Sequence, residues 1–280
     1  MKDRIISSCI VGNTNAGKST LINALVGKKI SIVNKKRNTT QESIIGILNI
    51  KNTQIIIYDN PGLSIIKKNR SENKNIKNYF WNSVLLSDVI LYIFDVAKSH
   101  TIDNDIIKKL SKEKKKIILL LNKIDLIKKN ILLKIIDDIN KQGNFNSIVP
   151  ISAKSKTNLD VIVKYLCDNS YNGNWKYQKN KQTDRDNEFI SEEITRNSIL
   201  LNINEEIPYK ISVINTKWKL INNSQIVIHQ KIKTDNINHK KILLGKGGKM
   251  IKKIREYSQK ELNHYFNKKI HLYLTIDLTK

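Results

Sequence analysis

Gly12-Asn13-Thr14-Asn15-Ala16-Gly17-Lys18-Ser19 has the spacing GxxxxGK[ST], a loop pattern suited to holding phosphates. Glycine lets successive backbone N–H groups curl around an anion, and the N-terminus of a following helix adds its dipole. In such a cradle Lys18 reaches the β- and γ-phosphates and Ser19 takes a Mg2+ ion, with Thr20 beside it on the helix. Asp59-Asn60-Pro61-Gly62-Leu63 adds a carboxylate able to hold that ion through water. Its Gly62 supplies a backbone N–H able to sense a terminal phosphate. Asn122-Lys123-Ile124-Asp125 offers a carboxylate that accepts both N–H groups on guanine's N1/N2 edge. Adenine lacks those donors and would leave Asp125 unpaired, so the tetrad selects guanine. In Ser152-Ala153-Lys154 the Ala153 N–H is placed to meet guanine O6. Each motif alone is weak; together they describe a site for GTP or GDP with Mg2+.

These motifs need strand ends to stand on. Short apolar runs at Ile5–Val11, Thr53–Tyr58, Val89–Phe94, Ile117–Leu121 and Ser147–Ile151 lack strict alternation, as strands covered on both faces do. Helical patterns over Lys18–Val26, Lys77–Leu86, Ile102–Leu110, Leu132–Gln142 and Leu159–Cys167 separate them. The alternation predicts an α/β fold with a doubly wound, mostly parallel sheet over residues 1–168. The motifs then fall at the carboxyl ends of strands, where open sheets of this class bind ligands. The charge run Lys112–Lys116 reads as a solvated turn.

From about residue 169 to 188 the periodicity fails and the chain reads as a linker, pinned to a domain surface by Trp175 and Tyr177. Residues 189–280 then predict α-β-β-α-α-β. The elements are a helix over Phe189–Leu201, strands near Tyr209–Trp218 and Gln225–Ile232, a turn of helix at His239–Leu244, a long helix Met250–Phe266 and a strand Ile270–Ile276. Ile251, Ile254, Tyr257, Leu262 and Phe266 are the expected core face of the long helix. Before it stands Gly245-Lys246-Gly247-Gly248, followed by Lys249, Lys252 and Lys253. A GxxG turn between two helices, flanked by lysines, matches the KH module, which clamps the backbone of single-stranded RNA. Replacing Lys246 and Gly247 together by Asp would test this without breaking the turn, provided Gly247 does not need a positive φ.

The chain carries 50 basic and 25 acidic residues, a net +25 that favours a polyanionic partner. Lys, Asn and Ile crowd the whole sequence, so distribution says more than the total. Residues 201–280 hold 16 basic and 6 acidic side chains, the densest basic excess in the chain. No apolar run approaches the ~20 residues that span a bilayer, which points to the cytoplasm. Cys9 and Cys167 form no CxxC pair, and Cys9 reads as a small core residue. The five histidines show no metal-ligand spacing.

In order and spacing, the first-half motifs resemble those of translation-factor-class GTPases with a Ras-like G domain. That resemblance makes Thr40 the switch I threonine on Mg2+, with Thr39 the adjacent alternative. It also makes 35–42 switch I and the stretch from Gly62 to Lys77 switch II. Lys18, Thr40, Asp59 and Gly62 become the catalytic set. Where Ras carries its water-orienting glutamine this chain has Leu63, so hydrolysis must order its water by other means. Asn60 stands where threonine is usual.

Taken whole, the chain resembles the Era family of bacterial GTPases, a G domain followed by a type II KH domain. The resemblance runs through GNTNAGKST, KKRNTT, DNPGL, NKID, VPISAK, Thr183-Asp184-Arg185, SEEITR, EEIPY and LLGKGGKMIKKI. Residues 217–225 look shorter than the family's hairpin. The resemblance implies a monomeric GTPase that binds the 3′ end of small-subunit rRNA and assists maturation of the small ribosomal subunit. It also implies peripheral association with the inner membrane surface. The competing reading is a GTP-dependent regulatory scaffold at that surface, acting through basic patches.

Overall fold

The computed structural model describes residues 2–28, 30–31, 44–67, 74–98, 102–141, 145–203 and 211–279. They form two compact units that divide between Asp184 and Arg185.

The first unit runs β1 (Arg4–Gly12), α1 (Lys18–Val26), β2 (Ile44–Ile50), β3 (Thr53–Asp59), α2 (Leu63–Lys67), α3 (Lys74–Leu86), β4 (Val89–Asp95), α4 (Asn104–Ser111), β5 (Lys116–Asn122), α5 (Lys129–Asn140), β6 (Ser147–Ile151), α6 (Leu159–Asp168) and β7 (Tyr171–Asn172). The main sheet has the order β2-β3-β1-β4-β5-β6, with β7 off that path on β1. Among the described strands of this sheet, β2 and β7 pair antiparallel and the rest parallel. β1 and β4 are buried along nearly their whole length, so their residues read as apolar runs. The chain winds to one side of β1 for β3 and to the other for β4. The carboxyl end of β1 is therefore the switch point, and the GxxxxGKS loop leaves from it.

β2 and α2 are additions to the sequence reading. Gly46 breaks the pattern of β2 because α1 lies on top of it: a Cβ there would come within 2.8 Å of Ile22 Cγ1. The polar stretch after α6 is laid along the sheet. β7 pairs with Arg4 and Ile5, and Trp175 Nε1 donates to the Asn52 carbonyl at 3.2 Å. Gln54 Oε1 accepts the Lys176 and Tyr177 N–H groups at 2.9 and 3.0 Å. Gly46 bridges to Thr183, the Ile47 N–H donates to the Gln182 carbonyl, and Asp184 accepts from the Ile45 N–H at 3.1 Å. The solvated-turn reading of Lys112–Lys116 needs correction at Lys115. Its ammonium donates to the carbonyls of Val84, Leu85 and Ser87, capping the C-terminal end of α3 where a cation is favoured.

The second unit runs α7 (Asn187–Asn202), β8 (Ile211–Asn222), β9 (Gln225–Thr234), α8 (Ile237–Leu244), a single 3-10 turn (Lys246–Gly248), α9 (Lys249–Phe266) and β10 (Lys269–Leu278). This is the expected α-β-β-α-α-β order. Its sheet is β10-β9-β8, with β9 parallel to β10 and antiparallel to β8. Asp186 caps α7, its carboxylate accepting from the Phe189 N–H at 2.7 Å. The helices cover one sheet face: Ile199, Ile254 and Leu243 meet Val213 and Ile232, and Ile190, Ile194 and Leu262 meet Ile228 and Leu272. Buried Gln230 bonds Thr195 at 2.6 Å and Ser191 at 3.1 Å, tying α7 to β9. The inner row of α9 is Ile254, Ser258 and Leu262, four residues apart. Tyr257, expected in the core, is exposed, because it lies off the buried row of Ile254, Ser258 and Leu262.

Candidate nucleotide site and GxxG loop

Backbone geometry makes the first site. Gly17 closes the loop at φ 105 and Asn15 sits at φ 65, so the loop curls back before α1 begins at Lys18. Gly12 is held where a Cβ would lie 2.4 Å from the Ile93 carbonyl oxygen, the close approach of β1 to β4. Lys18 is buried and its ammonium donates to the carbonyls of Gly12 at 3.1 Å and Asn13 at 2.9 Å. Burial pulls its pKa down to about 8, against the opposing charge of Asp59.

Asp59 is fully buried at the end of β3. Its Oδ2 accepts from Ser31 Oγ at 2.7 Å and Ser19 Oγ at 3.1 Å. Its Oδ1 is buried without a hydrogen-bond partner among the described residues. Burial pushes this carboxyl up, opposed by the Ser31 bond, the Lys18 charge and the Ser19 bond. A buried carboxylate oxygen with no donor, beside a serine hydroxyl, fits the hard oxygen set that Mg2+ takes, directly or through water. Ser31 belongs to no motif, so spacing gave no signal for it. Asn23 places it, accepting from the Ser31 N–H at 2.9 Å and donating to the Ser31 carbonyl at 2.8 Å.

Asn60 is buried and accepts from Ser83 Oγ of α3 at 2.7 Å, so this position anchors a helix. Gly62 lies against the loop: a Cβ there would meet Thr14 Oγ1 at 2.5 Å. The hydroxyls of Thr14 and Ser64 are hydrogen-bonded. Leu63 is wholly buried in the cluster that includes Val11, Phe80 and Tyr92. A cleft of about 300 Å³ opens beside the loop, lined in part by Asn13, Thr14, Ser64, Asp95 and Lys98.

Asn122 joins three loops. Its Nδ2 donates to the Ala16 carbonyl at 2.7 Å and its Oδ1 accepts the Ala153 N–H at 2.9 Å. Lys123 takes φ 70 and pairs with Asp95, a partner outside every motif. Asp125 follows, exposed, in a 3-10 turn after Ile124 begins it. Ser152 is buried and its Oγ accepts the Ser155 N–H at 3.1 Å, shaping the turn that carries Ala153 and Lys154. Residues 12–20, 59–63, 122–125 and 152–154 thus surround one end of one sheet. Thr40, its alternative Thr39 and the segment 35–42 lie outside the described residues.

In the second unit, Gly245, Gly247 and Gly248 all have positive φ: 69, 61 and 73. A Cβ on Gly245 would lie 2.7 Å from Met250 Cβ, whereas Gly247 and Gly248 have nothing within 4 Å of theirs. Their backbone is open to a ligand, and Lys246, Lys249, Lys252 and Lys253 around it are exposed. Because Gly247 takes a positive φ, replacing Lys246 and Gly247 together by Asp would strain the turn as well as change its charge. A clean variant must use lysines alone.

A family model described as "50S ribosome-binding GTPase" matches residues 7–123, and one described as "KH domain" matches residues 206–280. GTPase Era of Rickettsia conorii is 36% identical over 274 residues, covering 98% of this chain and 80% of its own length. GTPase Era of Ehrlichia canis is 35% identical over 281 residues, with 98% and 94% covered. Two crystal structures superpose with TM-score 0.90 at 31% identity, each along 94% of its chain. One is Era in complex with MgGDPNP and nucleotides 1506–1542 of 16S ribosomal RNA; it covers 99% of this chain. The other is an Aquifex aeolicus Era variant bound to GDP·AlF4−, covering all of it. The fold is accordingly a P-loop G domain followed by a type II KH domain. Likeness this even, through both units and at this identity, makes the chain a member of the Era family of GTPases.

Proposed function

We propose that this chain binds and hydrolyses GTP with Mg2+ and binds the 3′ end of small-subunit rRNA, assisting maturation of the small ribosomal subunit as a monomer. The observation that carries the reading is the pairing, in one chain, of the Asn122-clasped nucleotide loops with an open, lysine-flanked GxxG turn. In this reading residues 1–168 are the G domain, 169–188 the linker and 189–280 the KH domain. The loop amides from Asn13 to Gly17 and the Lys18 ammonium hold the phosphates. Ser19, Thr40 and, through water, Asp59 hold Mg2+, which supplies charge neutralisation to the phosphates when bound. Gly62 reports the γ-phosphate. Asp125 and Ala153 read guanine, with Asn122 positioning both loops. Gly245 to Lys249, with Lys252 and Lys253, hold the RNA backbone.

Leu63 is packed among aliphatic and aromatic side chains, so it offers the attacking water no polar group. Turnover is slow for that reason, and ordering of the water falls to other groups or to a partner. Among the described residues no helix is long and apolar enough to cross a membrane. We take the cytoplasm as the place of action, with contact at the inner membrane surface as the competing reading.

The test compares two double variants in fluorescence anisotropy with the single-stranded rRNA tail. Lys246→Glu with Lys249→Glu puts like charge beside the GxxG backbone and is expected to weaken binding about 100-fold at moderate salt. Lys112→Glu with Lys114→Glu makes the same change of net charge on exposed turn residues and is expected to leave binding within about twofold. Equal losses would reduce the RNA interaction to bulk charge and promote the membrane-surface reading.

A further inference from the structure

The sheet of the second unit has a second face. Ile226, Ile228, Gln230 and Ile232 of β9 are buried under the helices. Alternation along a strand therefore turns Val227, His229, Lys231 and Lys233 to the opposite side. Register sets their neighbours. Lys217 and Tyr273 flank His229, Lys219 and His271 flank Val227, Ile214 and Thr275 flank Lys231, and Ser212 and Asp277 flank Lys233. A bulge between Asn215 and Lys217 restores this phase: without it Lys217 and Lys219 would point at the helices and Trp218 outward. Trp218 instead packs inside, edge-on to Phe266 at 5.5 Å.

The resulting face has a defined chemistry. With Lys269 opposite Gln225 it carries five lysines against one carboxylate, Asp277, which pairs with Lys231 at 3.0 Å. In its middle the His229 and Tyr273 rings are stacked, 4.7 Å between centroids and 24° between planes. Tyr273 is 54% exposed. β10 is an edge strand, with no strand beyond it among the described residues, so the ring face turned away from His229 is open.

The geometry points to a second RNA surface on this sheet face, where a base stacks on Tyr273 and Lys217, Lys219 and Lys233 hold the adjoining phosphates. Exposed rings take bases of any sequence on their π-faces, and lysines a strand or two away, spaced about 4.8 Å per strand, track a sugar–phosphate backbone. A membrane surface would use the lysines and have no use for a stacked pair. An apolar protein partner would find mostly charge. The GxxG turn lies on the helical side, so an RNA leaving it continues around β10 onto this face. The inference rests on the chain binding RNA at all, and the test separates the two.

Full-length protein is titrated with two labelled RNAs, one matching nucleotides 1506–1542 of 16S ribosomal RNA and one a short 3′ single strand from its end. Tyr273→Ala and the pair Lys217→Gln with Lys219→Gln are each expected to weaken the long RNA about tenfold and leave the short one within about twofold. Tyr273→Phe should restore wild-type binding, and only the lysine pair should lower the salt dependence. Should both variants bind the long RNA like wild type while Lys246→Glu with Lys249→Glu loses it, the sheet face is not an RNA surface and the GxxG reading stands. Should none of the three lose RNA, both readings fall. Loss of binding to phosphatidylglycerol vesicles by the lysine pair, with RNA binding intact, would assign the face to the membrane instead.

Discussion

Asn122 shows how a motif residue can act through its neighbours. Its amide spans the Ala16 carbonyl and the Ala153 N–H, and it lies so close to Gly17 that a Cβ there would stand 2.3 Å from its Nδ2. Gly17→Ala is therefore expected to displace Asn122 and reduce GTP affinity at least ~100-fold, measured by calorimetry, through backbone strain at φ 105 and the lost clasp. Asp125 is different, being exposed, and in the proposed function it meets guanine itself. Asp125→Asn should weaken GTP and improve xanthosine triphosphate, because an amide donates to the carbonyl that replaces guanine's N2 amine. Comparable GTP and ATP affinities in the unsubstituted chain would overturn the base assignment. Leu63 separates stability from catalysis. Leu63→Met preserves volume and should leave turnover within about twofold, while Leu63→Ala should cost about 3 kcal/mol in urea unfolding. Lost turnover in Leu63→Met, with GTP still bound, would contradict a purely packing role.

At the level of elements, the buried parallel strands and amphipathic helices were legible to within a few residues, since an apolar run bounded by glycine or charge has few ways to fold. Lys18–Val26 and Ser147–Ile151 are the same in sequence and structure. What spacing does not carry is long-range hydrogen bonding. Nothing near Ser31 announces that it bonds Asp59, and nothing in Lys112–Lys116 distinguishes Lys115, whose three acceptors lie about thirty residues away. The edge strand β2 escaped because its glycine serves packing against α1. The GxxG turn was legible as a turn, but the sign of φ at Gly247 was not. Gly245→Ala should lower the melting temperature by several degrees, because its Cβ meets Met250. Gly247→Ala should lower it less, since it meets the same positive φ in open space. Equal losses in thermal melts would show that the crowding at Gly245 has no consequence.

On the scale of the whole molecule, the two thiols report different environments. Burial pushes Cys9 up to about 12, opposed by the Ser87 hydrogen bond and the Lys115 charge. Such a thiol holds its proton more tightly folded than unfolded. Its contribution to stability is complete below the unfolded thiol's pKa of ~8.5 and is lost as pH rises from there toward 12. Urea midpoints should therefore fall between pH 9 and 11, and less so in Cys9→Ala. In native protein at pH 8 a thiol reagent should reach Cys167, which is partly exposed, and Cys9 only after unfolding. Two fast-reacting thiols in the native state would contradict the burial.

The strap formed by residues 171–184 has a consequence for synthesis. β2 leaves the ribosome early, yet the groups along its outer edge meet their partners, Gln182, Thr183 and Asp184, only after more than a hundred further residues have been made. Until then the nascent first unit carries an unpaired strand edge, the feature that invites pairing with another chain. A fragment ending at residue 168 should reproduce that unfinished state, with fast amide exchange at Ile45 and Ile47 and concentration-dependent association. One ending at 184 should be protected and monomeric. The last residues of the strap thus fix the moment in translation at which the first unit is closed.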